Sequence, residues 1–423
     1  MKKTLIKMLI VVIVIAIIAG AGIGGYIFLS SRNPVVTVDD INYVLNSDGE
    51  SYSLSGICST NTSSEITIPG TVKNKPVTRI LRGAFADCHT ITGVVIPDSV
   101  NEIETEAFYN CSKLSDVTLP KGLTHFGENV FSECDLKETV SDGLVYGGVS
   151  YNDGTTNDFY ILLEIGSSYN KEALVMNAQT CIIGESAFYN NEHIKSVTLS
   201  ENIHTIDSYA FGYSNLENIY WNKSLITIAS NAFSAIPNLI DENFYIPNTV
   251  EYVGSGAFTI GDGVTYIGSR ENPKMICYVN DNEITEFTAQ SKIIEICEAQ
   301  NLITLSVGEN VEVIRGWDMD EKALKTVSFM KNSKLKYIEG NVFSNSNISS
   351  IEIPASVSYI GIGVFAKCTQ LTNVTFEQAE GWMVKVVQQR GIVGSGFGYI
   401  EVSDSSKALK ELTRADVVYL YRP

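Results

Sequence analysis

Few residue types in this 423-residue chain could do chemistry, and their spacing suits it poorly. Eight cysteines would supply a disulfide framework in an exported protein. However, Cys88, Cys111, Cys134 and Cys368 each stand three places after a phenylalanine, and Asn191, Ser214 and Ser346 fill the same place elsewhere. A small, weakly polar side chain repeated at one position is expected to face inward against loop backbone, as a buried free thiol. Stacked neighbours carry parallel side-chain vectors, which suit a disulfide poorly. A reactive thiol wants an electropositive, partly exposed setting. His89 beside Cys88 points to the other side of the chain or to the surface, which makes a weak dyad.

Asp153, Asn157 and Asp158 invite a calcium reading, but no EF-hand spacing surrounds them, and a solvated turn is expected. Only four histidines are present. The glycines from Gly391 to Gly398 do not follow a strand and open a helix with phosphate-binding spacing. HExxH, GxSxG, Walker and CxxC patterns are missing from the sequence. The expectation is therefore a non-enzyme with no catalytic, cofactor or metal site. A formal charge of −18 argues against nucleic acid as a partner.

The elements that carry these residues repeat. Residues 94 to 111 read Val94-x-Ile96-Pro97, then Val100, Ile103, Ala107-Phe108 and Cys111. The aromatic slot recurs at Phe85, Phe108, Phe131, Phe188, Phe211, Phe233, Phe258, Phe343 and Phe365, with an apolar residue five places before each. Such a period marks a solenoid, which buries its core between neighbouring turns. Each turn should open with one strand of a parallel sheet, its alternate residues inward. The other face should carry short helical, 3-10 or extended segments, with a short helical turn at the phenylalanine, and the phenylalanines should stack in file.

The turn I-P-x-x-V-x-x-I-x-x-x-A-F-x-x-C-x-x-L resembles the BspA-type leucine-rich repeat of bacterial surface proteins, over about residues 60 to 380. The usual glycine after the isoleucine stands at Gly127, Gly184, Gly254 and Gly361; Leu81, Glu104, Asp207 and Ala229 replace it in other turns. The resemblance implies an extracellular or envelope-attached protein that binds host or neighbouring-cell proteins.

At the N-terminus, Lys2, Lys3 and Lys7 precede an uncharged run from Met8 to Ser31. As a helix its apolar part spans roughly 30 Å, enough for a bilayer core. The lysines would hold the N-terminus inside and send the bulk across. The reading is a single-pass signal anchor at 1–31, favoured over a cleaved signal ending near Ala19-Gly20-Ala21 and a secreted product. Residues 32–65 carry Asn46-Ser47-Asp48-Gly49 between YVL and YSL, a hairpin that would cap the solenoid. The solenoid then covers 66–376, with insertions at about 139–172 and 260–290. The first reads as a projecting hairpin around Asn152-Asp153-Gly154. Residues 377–423 should form a C-terminal cap, with a short helix begun by Ser405 or Ser406.

What remains for function is the outward row between the inward strand residues. Its candidate ligand-binding members are Val95, Thr118, Thr198, Tyr220, Tyr245, Ser306, Ser328 and Glu352, with Val175 and Thr375 in the same row. Tyrosines bury much area with few rotors, and Tyr220 and Tyr245 fall in successive turns. Thr and Tyr are also good strand formers on a wet sheet, so the row counts as a whole and not residue by residue. The expectation is protein recognition or adhesion through this face, the membrane being engaged by the N-terminal helix. A passive envelope spacer is the alternative, and an enzyme with its chemistry in an insertion or the C-terminal segment is the third reading.

Overall fold

The computed structural model describes residues 35–57, 63–166, 169–236, 239–240, 244–316, 323–379, 382–386, 397–399 and 418–421. The expected membrane helix over 1–31 and the expected C-terminal helix near Ser405 lie outside them. Among the described residues there is no helix, and none long and apolar enough to cross a membrane.

Each turn has three short sides. In one turn the front strand Gly93–Val95 buries Val94 and leaves Val95 facing out. The back strand Glu102–Ile103 then buries Ile103. The chain finally rounds an aromatic corner at Phe108. This turn and the next are hydrogen-bonded along all three sides: at the corner, Phe108 N donates to Val130 O at 3.0 Å and Asn110 N to Ser132 O at 2.9 Å. The backbone is thereby satisfied turn by turn.

The corner differs from the expected helical turn. Tyr109 N donates to Glu106 O and Cys111 N to Phe108 O, so the i to i+3 bonds are present. Glu106 and Asn110, however, have φ of 58° and 56°. Left-handed residues two places before and after the phenylalanine stop a right-handed helix from propagating. The arrangement recurs as Ser186 and Asn190, Asn341 and Asn345, and Gly363 and Lys367.

The phenylalanines stack in three files and not one. Phe85, Phe108 and Phe131 form the first, with centroids 4.9 and 5.5 Å apart. Phe188, Phe211, Phe233 and Phe258 form the second at 5.1, 5.3 and 5.5 Å. Phe343 and Phe365 form the third at 5.7 Å. Each file lies in its own apolar core.

The break between the first two files comes from the insertion. Strands Leu144–Tyr151 and Thr156–Ile165 make an antiparallel hairpin that does not project. Its first strand continues the front sheet, pairing Ser150 with Thr118. Its second strand starts the next back sheet, pairing Leu162 with Ile183. Leu144, Tyr146 and Leu162 are buried, and this burial holds the hairpin in the wall. Gly184 permits the junction, since a Cβ there would stand 2.8 Å from Leu162 O. One sheet therefore runs from front strands Glu65–Thr67, Gly93–Val95 and Asp116–Leu119 through the hairpin to back strands Ile182–Ile183, Thr205–Ile206, Thr227–Ile228 and Tyr252–Val253.

The ends are closed by antiparallel strands. Ile41–Leu45 and Tyr52–Ile57 pair around the turn at Gly49, and the second joins back strand Lys75–Ile80. Within the second insertion, Gly263–Ile267 and Ile276–Asn280 form a hairpin that starts the third back sheet. Val418–Tyr421, Met383–Val386 and Phe397–Tyr399 extend that sheet beyond Tyr359–Ile360.

Candidate recognition surface

The front ladders carry the predicted row in pieces. Val95 pairs with Thr118, Thr198 with Tyr220, Ser306 with Ser328, and Glu352 with Thr375. Each pair belongs to a different sheet. Val95, Val175, Thr198, Tyr220, Tyr245, Ser328 and Glu352 are exposed, while Thr118, Ser306 and Thr375 are half-buried. Their ladder neighbours Val197, Leu305 and Ile353 are sealed in the cores. The alternation is that of a sheet with one dry and one wet face.

Tyr220 is the most open tyrosine of the row, 59% exposed at the edge of the ladder Ala173–Leu174, Ser196–Thr198, Asn218–Tyr220. Tyr245 follows outside any strand. The Arg270 guanidinium lies 4.2 Å from its ring centroid and donates to its hydroxyl at 3.0 Å. A second aromatic patch lies on the corners, where Tyr189 contacts Tyr209 at 6.0 Å and Tyr213 at 5.4 Å, all three exposed. The left-handed slots that Tyr209 and Tyr213 occupy swing their rings outward. Apolar periodicity gives no sign of this patch.

Back faces of different blocks meet, which repeat analysis alone does not foresee. Thr227 Oγ1 donates to Phe126 O at 3.2 Å. The Glu128 carboxylate accepts from Ser230 N at 2.8 Å and from the Tyr252 hydroxyl at 3.3 Å. Asn129 N donates to Asp207 Oδ1 at 2.7 Å. Burial pushes the Asp207 carboxyl up to about 8, and burial also raises Glu185 and Glu339. Further along, Arg315 pairs with Glu295 and also donates to Val253 O and Gly254 O. One signal was available: Asp207 replaces the usual glycine of its turn. Glu104, in the same slot, accepts from Arg79 and from Arg82 N.

The candidate chemical residues do not converge. Asp153 Oδ2 is held by Lys121 Nζ at 2.6 Å and its Oδ1 by Thr155, which keep its carboxyl well below the usual range. Asn157 instead donates to Gln179 O at 2.9 Å. Among the described residues, no group of three His, Cys, Asp or Glu is arranged to hold a metal. The seven described cysteines are free thiols. Cys111, Cys134 and Cys368 donate to the carbonyls of Phe85, Phe108 and Phe343 at 3.1, 3.2 and 3.0 Å. Each thiol thus binds the aromatic corner one turn back, and burial raises the Cys181 thiol to about 11. His89 Nδ1 lies 3.1 Å from Ser112 Oγ on the surface.

Parallel ladders at about 23-residue intervals, inward apolar rungs and aromatic corners define a leucine-rich-repeat solenoid. The chain matches the BspA type Leucine rich repeat region in six copies, over residues 57–144, 167–276 and 295–405. It belongs to that family. No curated protein matches. Among solved structures, a leucine rich cell surface protein from Faecalibacterium prausnitzii is 21% identical, covering 83% of this chain and 97% of its own, at a TM-score of 0.29. A Leucine Rich Repeat protein of T. pallidum is 20% identical over 52% of this chain and 85% of its own, at 0.28. A leucine-rich repeat protein from Bacteroides ovatus is 20% identical over 80% of this chain and 88% of its own, at 0.26.

Proposed function

We propose that the chain is a membrane-tethered extracellular recognition protein that binds a protein on a host or neighbouring cell through the exposed face of its front ladders. The observation that carries this reading is the pairing of Thr198 with Tyr220 on a ladder whose inward residue Val197 is fully buried. A scaffold locked on one side presents its outer side chains preorganised, which limits the ordering cost of binding. Tyr220 supplies an exposed aromatic anchor of the kind enriched at interface hot spots. The apolar run from Met8 to Ser31 behind three lysines supports the tether.

The test is an unbiased binding screen of the full chain against cell-surface and matrix proteins. The expected result is a saturable partner whose affinity falls at least about tenfold when Tyr220 and Tyr245 both become Ala, with the circular dichroism spectrum unchanged. No saturable partner in that screen would overturn the reading in favour of a passive spacer.

A further inference from the structure

Between the turns that carry Ser328 and Glu352, the front face is split while the back is continuous. Back strands Tyr337–Ile338 and Tyr359–Ile360 pair in register. The corresponding front strands Thr326–Phe329 and Ser350–Ile353 do not pair and belong to different sheets. At the start of the split, Asn347 N still reaches Leu324 O at 2.8 Å. Beyond that bond the two strands part around a cleft of about 680 Å³, lined on one side by Val327, Phe329 and Lys331 and on the other by Glu352, Pro354 and Glu377.

Both walls are strand edges. Thr326 N and Met330 N donate to Ile303 O and Val307 O of the preceding strand. By the period of two, the peptide groups of Val327 and Phe329 face the cleft. On the other wall, Ser349 O and Ile353 O accept from Thr372 N and Glu377 N, so the peptide groups of Ser350 and Glu352 face the cleft. Side chains report the same opening. Leu305, Val307 and Ile353 are completely buried at their rungs, whereas Val327 and Phe329 are only half-buried. A ladder neighbour is missing above them.

We infer that this cleft takes an extended basic peptide, which adds as a strand between Thr326–Phe329 and Ser350–Ile353. Only another extended backbone offers donors and acceptors to two parallel edges at once. Inward residues of that strand would cover Val327 and Phe329 and so must be apolar. Outward residues would stand in the row with Ser328 and Glu352. Glu352 is exposed there, and Glu377 lines the same wall, its Oε2 accepting from Ala355 N at 2.9 Å. Lysine or arginine at outward positions complements that wall, in a chain of charge −18. The inference shares Ser328 and Glu352 with the recognition reading and rests on that reading only for them.

The test uses the full chain and a labelled octapeptide of alternating valine and lysine, with affinity read by fluorescence anisotropy. The expected result is saturable binding that weakens at least about tenfold when alternate peptide amides are N-methylated at constant charge. Glu352→Lys should weaken it about fivefold and improve binding of the matching valine–glutamate peptide. Tyr220→Ala should leave peptide binding unchanged, so the ladder-face reading and the cleft fail separately. Equal binding of the N-methylated peptide would reduce the effect to bulk charge and overturn the inference, as would indifference to Glu352→Lys or absence of saturation.

Discussion

Arg315 and Glu295 form an ion pair sealed from water, Nε donating to Oε2 at 2.8 Å with 1% and 0% of the two side chains exposed. Both partners are occupied elsewhere as well: the guanidinium caps Val253 O and Gly254 O, and Glu295 Oε1 accepts from Gly256 N at 2.7 Å. The pair ties the last back strand of the second block to the third.

Removing one member leaves the other charge buried without compensation. Arg315→Met is expected to destabilise by about 3–5 kcal/mol, and Glu295→Gln with Arg315→Met together by much less than the sum. Urea unfolding of the two single variants and the double variant measures this, and additive losses would contradict it.

Asp207 sets a pH dependence of definite sign. Its folded carboxyl, near 8, lies above the ordinary value of about 3.9. The native state therefore holds a proton that the unfolded chain releases. The associated stability is fully present below about pH 4 and is lost as pH rises through 8. Burial lowers His204 to about 4, which acts oppositely between there and about 6.5. The net decline should show between about pH 6.5 and 8. Melting temperature should fall over that window in the wild type and stay flatter in Asp207→Asn, whose amide oxygen can still accept from Asn129 N.

The aromatic files give a graded series. Phe211 has stacked rings on both sides, at 5.1 and 5.3 Å. Phe211→Ala is expected to cost about 3–5 kcal/mol, and Phe211→Leu clearly less. Phe365 has one stacked partner, Phe343, so Phe365→Ala should cost less than Phe211→Ala. Equilibrium unfolding of the three variants decides the order.

The thiol rung is interchangeable with the hydroxyl that other turns place there. Cys111→Ser should keep the bond to Phe85 O and lose about 1 kcal/mol or less, while Cys111→Val removes that bond, leaves Cys88 N as the carbonyl's remaining donor and loses more. A thiol reagent should modify Cys111 and Cys368 only after denaturation, since both are buried.

Much of the solenoid could be read from its period, because inward rungs such as Val94, Ile103 and Phe108 recur with it. The corner reads as a short helical turn from the sequence, because the left-handed residues at Glu106 and Asn110 leave no imprint on apolar spacing. Contact between back faces escaped for another reason. Repeats specify neighbours one turn away, whereas Asn129 and Asp207 are 78 positions apart. The outward row was identifiable strand by strand, but its division among four sheets follows from the hairpin, from the end of the ladder at Tyr220 and from the split beside Glu352.

The hairpin at 144–165 also constrains how such a chain can change length. Within a block, one turn hands on to an equivalent turn, so a duplicated or lost repeat finds the same partners. Across the hairpin the wall changes identity, a front edge at Thr118 being matched to a back edge at Ile183. Gain or loss of turns is therefore tolerable on either side of that joint, while the joint itself has to be inherited whole.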